Sequence, residues 1–468
     1  MVIKNFIGIL MLLIATSSFA HGLKSEKILR LKYNNHKDIE KLVLADFDIA
    51  GIDLKEGTVD VVMYGEENIQ SHKDILNSFQ ILKSIDTTKM VPDSEYKNPE
   101  EMAEIIAGFA NNFPSITELH TIGTSVEGRP IYALKITDNP AMRELDEPTI
   151  LFNSMHHARE IMTPEVAIDI MEYLTTNYGL NADVTNWVDN TEIWVVPMVN
   201  PDGNHRVWTS DNMWRKNARD GHGVDNNRNY PYMWGACQGS SGSRYSQTYR
   251  GPSAGSEPET QAIMQLVANI EPVFDISFHS YSELVLYPYG CSGERTVNRA
   301  VVEGLGREMG NILDGDFGGS YEPGTPWEIL YSVDGGDIDW MYNEYGVIPY
   351  VVELNSSRLG FQPDYSYRDS TVENARKSWQ LLLNRLQQSG VRGVIRDQNG
   401  RSIPAGELNV SSLGDSTLSD YTMRIKNDGT YHLVLSPGMY EISFNVEGKN
   451  ITQNITVGNG LTIQDITL

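Results

Sequence analysis

The sequence predicts an α/β protein built on a mixed, mainly parallel sheet flanked by helices, with a small α/β unit before it and a β-sandwich after it. Three observations carry that reading. Short apolar runs alternate with longer helical patterns from about residue 96; residues 21–95 show mixed short patterns with no concentration of His, Cys or Gly; and the texture after Gly390 turns to short strands separated by turns. The length of 468 residues exceeds what one small core would use, so two or three folding units are expected.

In chain order, residues 1–20 hold Lys4, an apolar run from Phe6 to Ala15, and small residues Ser18 and Ala20. This is the pattern of a secretory signal peptide, too short in its apolar part for a membrane helix of about 20 residues. No second run reaches that length, so the chain is expected to be secreted or periplasmic with no membrane span in its mature form. Residues 21–95 contain Ile39–Leu44 and Val59–Tyr64, the marks of a small unit of strands and one or two helices. Residues 96–390 begin with a helical pattern at Glu100–Phe109. Apolar strand runs follow at Thr149–Phe152, Glu192–Pro197, Val273–Phe278 and Val347–Leu354, and a helix over Thr371–Gln388 is expected to stop at Ser389-Gly390. Residues 391–468 show strand patterns at Val391–Ile395, Glu407–Val410, Tyr431–Leu435, Tyr440–Val446 and Ile451–Val457. Turn sequences such as Asp397-Gln398-Asn399-Gly400 and Asn427-Asp428-Gly429 separate them.

The 62 Asp and Glu against 37 Lys and Arg give a formal net charge of -25, and the excess falls mainly in residues 96–390. A nucleic-acid partner is excluded on that ground, because phosphate backbones are held by clustered Lys and Arg. Such a surface favours cationic peptides at low salt. The two cysteines, Cys237 and Cys291, allow one disulfide in an oxidising compartment or two separate buried thiols.

Metal-ligand chemistry concentrates at strand ends. His157 and Glu160 follow the run ending at Phe152, His279 ends the run Val273–Phe278, and Glu353 closes Val347–Leu354. His-x-x-Glu alone is a weak signal that occurs in many proteins by chance. Two His and one Glu leave a fourth position for water in hydrolytic zinc sites, and ligands in open α/β sheets bind outside the carboxyl ends of strands. Between these runs lie Trp214-Arg215-Lys216-Asn217 and Asp225-Asn226-Asn227-Arg228-Asn229. Arginines in so acidic a segment suit a substrate carboxylate, although solvated surface charge is the ordinary role for such residues.

At this point the chain resembles the zinc metallocarboxypeptidases of the carboxypeptidase A and B type. The resemblance rests on His157-Ala158-Arg159-Glu160, Asn200-Pro201-Asp202-Gly203, Trp214-Arg215-Lys216, Asn227-Arg228-Asn229, His279-Ser280-Tyr281-Ser282, Tyr331 with Gly335–Trp340, and Glu353-Leu354. It implies a carboxypeptidase-like catalytic domain over 96–390 that holds one Zn(2+) on His157, Glu160 and His279. It further implies that Glu353 is the general base that activates the attacking water and then protonates the leaving amine, and that Arg215 stabilises the oxyanion. Asn227, Arg228 and Tyr331 would clamp the C-terminal carboxylate of a peptide or protein, and Arg159 and Tyr281 would bind the substrate further along. Ile338 stands at the pocket floor, where an acidic residue would select basic termini. With Leu330, Val333 and Val351 it implies a preference for apolar or aromatic C-terminal residues, which Asp334 or Asp337 would turn into mixed specificity if either reached the pocket.

By position, residues 21–95 match the family's propeptide, making the chain a zymogen; a permanent N-terminal domain is the alternative. Residues 391–468 are similar to the transthyretin-like domain that follows some carboxypeptidases, with a structural role or one in docking to another surface. Two loops leaving the same strand-end face would bring Cys237 and Cys291 into a disulfide. The competing readings are a hydrolase of peptidoglycan stem peptides or acyl groups on the same fold, and an inactive carboxypeptidase-like binding protein. The latter is expected to lack a ligand or the base, and all four residues are present.

Overall fold

The structure is a computed structural model that describes residues 27–88, 90–404, 406–414 and 420–468. The expected signal peptide, residues 1–20, lies outside the described residues. Among the described residues, no helix is long and apolar enough to cross a membrane.

The N-terminal unit is an antiparallel sheet of β1 (Lys27–Lys32), β2 (Asp48–Asp53), β3 (Thr58–Met63) and β4 (Gln80–Asp86), in the order β2-β3-β1-β4. The helix His36–Leu44 buries Ile39 and Leu42 on it and is capped by Asn35, whose side chain accepts from the Lys37 amide. A capping side chain of this kind satisfies one of the helix's orphan N–H groups.

The central sheet has eight strands. They are β5 (Thr117–Thr124), β6 (Pro130–Ile136), β7 (Thr149–Ser154), β8 (Glu192–Val196), β9 (Phe274–Ser280), β10 (Leu284–Leu286), β11 (Glu322–Gly324) and β12 (Ile348–Leu354), in the order β11-β10-β12-β9-β7-β8-β6-β5. Its middle, β12-β9-β7-β8, is parallel, and an antiparallel hairpin β5-β6 closes one edge. All four middle strands are nearly or fully buried, as a sheet covered by helices on both faces requires. Helices Pro99–Asn112, Thr163–Asn177 and Arg368–Leu386 pack one face around Phe152, Phe274, Phe278 and Trp379. Helix Pro258–Ile270 covers the other with Leu151, Val196 and Trp340.

The final helix runs Arg368–Leu386, ending two residues before the expected Gln388. Gly390 is not its C-terminal stop; it opens the strand Gly390–Arg396. A Cβ there would lie 2.5 Å from the Leu433 carbonyl oxygen, so close strand pairing accounts for the glycine. The remaining strands form two small sheets, Thr430–Val434 with Gly390–Arg396, Leu461–Ile463 and Ile466–Thr467, and Tyr421–Arg424 with Glu407–Ser412, Gly438–Val446 and Lys449–Val457. They share a core of Val391, Leu408, Leu433, Ile442 and Phe444, a sandwich arrangement. This unit is joined to the central one by charged pairs, with Arg143 between Glu192 and Asp428 at 3.3 and 3.1 Å and Arg424 on Glu271 at 2.9 Å.

Candidate metal centre and cleft

The site forms where β7, β9 and β12 end. Directly after each end stands a non-glycine residue with left-handed backbone: Met155 (φ 59°) after β7, Glu283 (φ 55°) shortly after β9 and Asn355 (φ 55°) after β12. Such conformations cost free energy and cluster at functional sites, where the surrounding fold enforces them. Here Met155 turns the chain just before His157 and Glu160, while Glu283 and Asn355 turn it just beyond His279 and Glu353.

His157 and Glu160 lie in the turn between β7 and helix Thr163–Asn177, and His279 lies near the end of β9. His157 Nδ1 is 2.8 Å from Glu160 Oε1, and His279 Nδ1 is 3.1 Å from Glu160 Oε2 and 3.2 Å from His157 Nδ1. All three side chains are buried. Three N and O donors at these separations suit zinc, because bonds of about 2.0–2.1 Å in a tetrahedron put neighbouring donors roughly 3.3 Å apart. The electrostatics agree. Despite burial, the two imidazoles hold the Glu160 carboxyl well below its usual range, and Glu160 in turn pushes His279 up against the burial that would lower it. The cluster therefore favours positive charge between its members.

A supporting carboxylate holds His157. Asp225 Oδ1 lies 3.2 Å from His157 Nε2, while its Oδ2 accepts from Arg215 Nε and Nη2 at 3.1 and 2.8 Å. Burial acts to raise Asp225, but Arg215 and His157 hold it well below the carboxylate range. Asp225 carries only a faint signal in the sequence, an acidic residue inside an otherwise amide-rich and basic run. A second group, His156, His279 and Asp337, also converges. His156 stacks on His279 with centroids 5.6 Å apart and bonds the Tyr230 hydroxyl at 2.9 Å.

Glu353 stands opposite His279 in the parallel β9-β12 register and lines the same cavity. Burial, helped by the Glu160 charge, pushes its carboxyl up to about 8, with His279 and Arg215 opposing. A divalent cation at the three donors would draw it down again. Asn227 and Arg228 occupy a short turn after Asp225, where Arg228 Nε donates to the Gly239 carbonyl at 3.1 Å and the Asn227 Oδ1 accepts from the Asp337 amide at 2.9 Å. Tyr331 and Ile338 line the cavity with Leu286, Leu330, Val333 and Val351.

Asp337 and Asp339 also line the cavity, and Asp334 Oδ1 and Asp337 Oδ2 have no hydrogen-bond partner among the described residues, whereas the other oxygens of these three carboxylates meet backbone amides. Asp334 Oδ2 accepts from the Cys237 and Gly239 amides, Asp337 Oδ1 from the Ile338 amide, and both Asp339 oxygens face the Gly290 amide. Cys237 and Cys291 form a disulfide with Cα atoms 5.6 Å apart, joining the loop that follows Arg228 to the one that follows Gly290.

Arg159 and Tyr281 are not free to meet a peptide in this chain. Arg159 is 0% exposed, grips Asp48 of β2 through two hydrogen bonds of 2.7 and 2.8 Å, and lies over the Phe361 ring. The Tyr281 hydroxyl donates to Asp60 of β3 at 2.8 Å. Ile49, Ala50 and Gly51 line the cavity beside the donors, and the N-terminal core of Leu31, Ile52 and Val61 is continuous with Leu330, Tyr331 and Ile338. About 60 Å³ of free space remains, far below the roughly 300–1,000 Å³ of ligand sites.

This fold and donor set define a class, and comparison with known proteins agrees: the family model described as Zinc carboxypeptidase matches residues 102–378, and the chain belongs to that family. Among its relatives, Carboxypeptidase A1 of Sus scrofa is 30% identical over 306 residues, covering 64% of this chain and 71% of that protein. Carboxypeptidase D of Homo sapiens is 27% identical over 394 residues, which are 80% of this chain but 26% of that much longer protein. The chain thus spans about a quarter of the length of that relative. The crystal structure of carboxypeptidase A from Helicoverpa armigera shares the fold, with a TM-score of 0.65 at 22% identity over 77% of this chain and 97% of that one.

Proposed function

We propose that the protein is a secreted or periplasmic zinc exopeptidase that removes single residues from peptide C-termini and is synthesised as a latent precursor. The observation that carries this reading is the convergence of His157, Glu160, His279 and Glu353 beside Arg215, Asn227 and Arg228 in one buried cleft. Zinc bound by His157, Glu160 and His279 would polarise the scissile carbonyl and lower the pKa of a water at its open position. Glu353 takes the proton from the attacking water and returns it to the leaving amine nitrogen. Arg215, held by Asp225, presents its guanidinium to the carbonyl oxygen as negative charge builds there. Arg228 and Asn227, with Tyr331, grip the terminal carboxylate, a geometry that guanidinium serves through paired donors.

Ile338, Leu286, Leu330 and Val351 give the terminal side chain apolar walls. Apolar or aromatic terminal residues are therefore preferred, and because Asp337 also lines the cavity with its Oδ2 unpartnered among the described residues, mixed specificity is the second reading. A terminal-carboxylate clamp also favours this reading over hydrolysis of acyl groups. Residues 21–95 act as the propeptide: Asp48 and Asp60 occupy Arg159 and Tyr281, and β2 fills the cleft. Residues 391–468 serve as a structural, transthyretin-like appendage.

The test is turnover of the processed protein on peptides that differ only in the last residue, each with a free or an amidated end. Release of single residues from free ends alone, abolished by a zinc chelator, is expected. Glu353→Gln should keep zinc and fold while losing turnover by a factor of about 10² or more. Equal cleavage of amidated peptides would overturn the exopeptidase reading.

A further inference from the structure

Strand β9 reads Phe274-Asp275-Ile276-Ser277-Phe278-His279-Ser280 and is buried along its whole length. Alternation puts Phe274, Ile276 and Phe278 on one face, in the hydrophobic core, and Asp275, Ser277 and His279 on the other. Burying a polar row in the middle of a sheet is costly unless each group finds a partner. Here the partners form a line. Asn153, the register partner of Ser277 on β7, donates from Nδ2 to Asp275 Oδ1 at 2.9 Å. Ser277 Oγ donates to Asn153 Oδ1 at 2.8 Å, and His279 Nε2 lies 3.2 Å from that same Ser277 oxygen.

The donor and acceptor roles follow from chemistry. Asp275 Oδ1 accepts from the Asn153 amide nitrogen, which leaves the Asn153 oxygen facing Ser277; Asp275 Oδ2 has no hydrogen-bond partner among the described residues, and burial beside Asp337 pushes that carboxyl well up. The Ser277 hydroxyl proton therefore points to Asn153, and its lone pairs are left for His279. The Asn227 Nδ2 is also near His279 Nε2, at 3.4 Å, but Asn227 Oδ1 is engaged by the Asp337 amide, so this contact presents only N–H. His156 Nδ1 lies 3.4 Å from the Ser277 oxygen, farther than His279. Ser277 is thus the acceptor that His279 Nε2–H meets.

We propose that Ser277 is a positioning residue for His279: through the relay Asp275, Asn153, Ser277 it places the imidazole proton on Nε2 and fixes the ring so that Nδ1 faces His157 and Glu160. The inference rests on the reading of those three residues as the zinc site. Partners of metal-bound histidines orient the ring and set its tautomer, and their loss commonly weakens metal binding by about 10–100-fold. His157 receives this support from the carboxylate of Asp225, whereas His279 receives it from a hydroxyl that is itself held by an amide.

The experiment is zinc affinity of the full-length chain, measured by competition with a chromophoric chelator, alongside thermal melting of the metal-free protein. His157→Ala should abolish tight binding; if it does not, the zinc-site reading fails. With that control in place, Ser277→Ala should weaken zinc by about 10–100-fold with little change in metal-free melting, and Ser277→Thr, which keeps the hydroxyl, should recover most of the loss. Asn153→Ala should also weaken zinc, and the double variant should be no worse than Ser277→Ala, because Asn153 acts only through Ser277. Should Ser277→Ala not fold, Asn153→Ala reads the relay from its other end. Affinity within two-fold of the unaltered chain for both, or full additivity in the double variant, overturns the relay.

Discussion

His432, on the strand Thr430–Val434, is 8% exposed and its Nδ1 has no hydrogen-bond partner among the described residues. Burial pushes its pKa down to about 3, and the positive charges of Lys426, Arg392 and Arg385 act in the same direction. An unfolded histidine titrates near 6.5. Below that pH the unfolded chain takes up a proton that the folded one refuses, so stability is full above about 6.5 and declines as pH falls toward 3, by about 1.4 kcal/mol per pH unit from this residue. His432→Gln should therefore lose about 2 kcal/mol less than the unaltered protein between pH 7 and pH 5 in urea unfolding; an equal loss would exclude the residue as an acid-sensitive point. At this scale the sequence showed the donors but not what holds them. His157, Glu160, His279 and Glu353 were legible because each follows or closes an apolar run. Asp225 and Ser277 were not, since an aspartate in a loop and a serine in a strand acquire their parts only from which atoms converge.

The element that lines the cleft from the N-terminal unit is β2. Its Asp48 pairs with a fully buried arginine, and Gly51 lies so close to Tyr281 that a Cβ would come within 2.5 Å of the ring. Removing one partner of a buried ion pair typically costs about 3–5 kcal/mol. Asp48→Ala should loosen β2 from Arg159 and raise turnover of the unprocessed chain on a small peptide by about ten-fold or more. Unchanged turnover would mean that β2 does not limit access. The strands β7, β8, β9 and β12 were readable from their apolar runs, within a residue or two at each end. Short strands such as β10 and β11 were not, because three residues carry no periodicity and exist only where a neighbouring strand supplies hydrogen bonds.

Across the whole molecule the C-terminal sandwich is docked by specific contacts. Arg143 links the buried Glu192 of β8 to Asp428, Arg385 Nη2 donates to the Leu435 carbonyl at 2.8 Å, and Val434 enters the central core. Arg143→Ala should uncouple the sandwich, so that calorimetry resolves an early transition several degrees below the main one where the unaltered chain gives a single peak. A single peak in both would place the coupling in the apolar contacts instead. By itself the sequence determined the mixed α/β class, because hydrophobic period and turn chemistry are local properties of the chain, and its family resemblance pointed to His157, Glu160 and His279 as one donor set. Only the tertiary structure decided that β2 lies in the cleft with Asp48 on Arg159, that Asp334, Asp337 and Asp339 turn to backbone amides, and that Ser277 backs His279. Each of these depends on where side chains distant in sequence meet in a buried, low-dielectric space, and no spacing along the chain encodes that meeting.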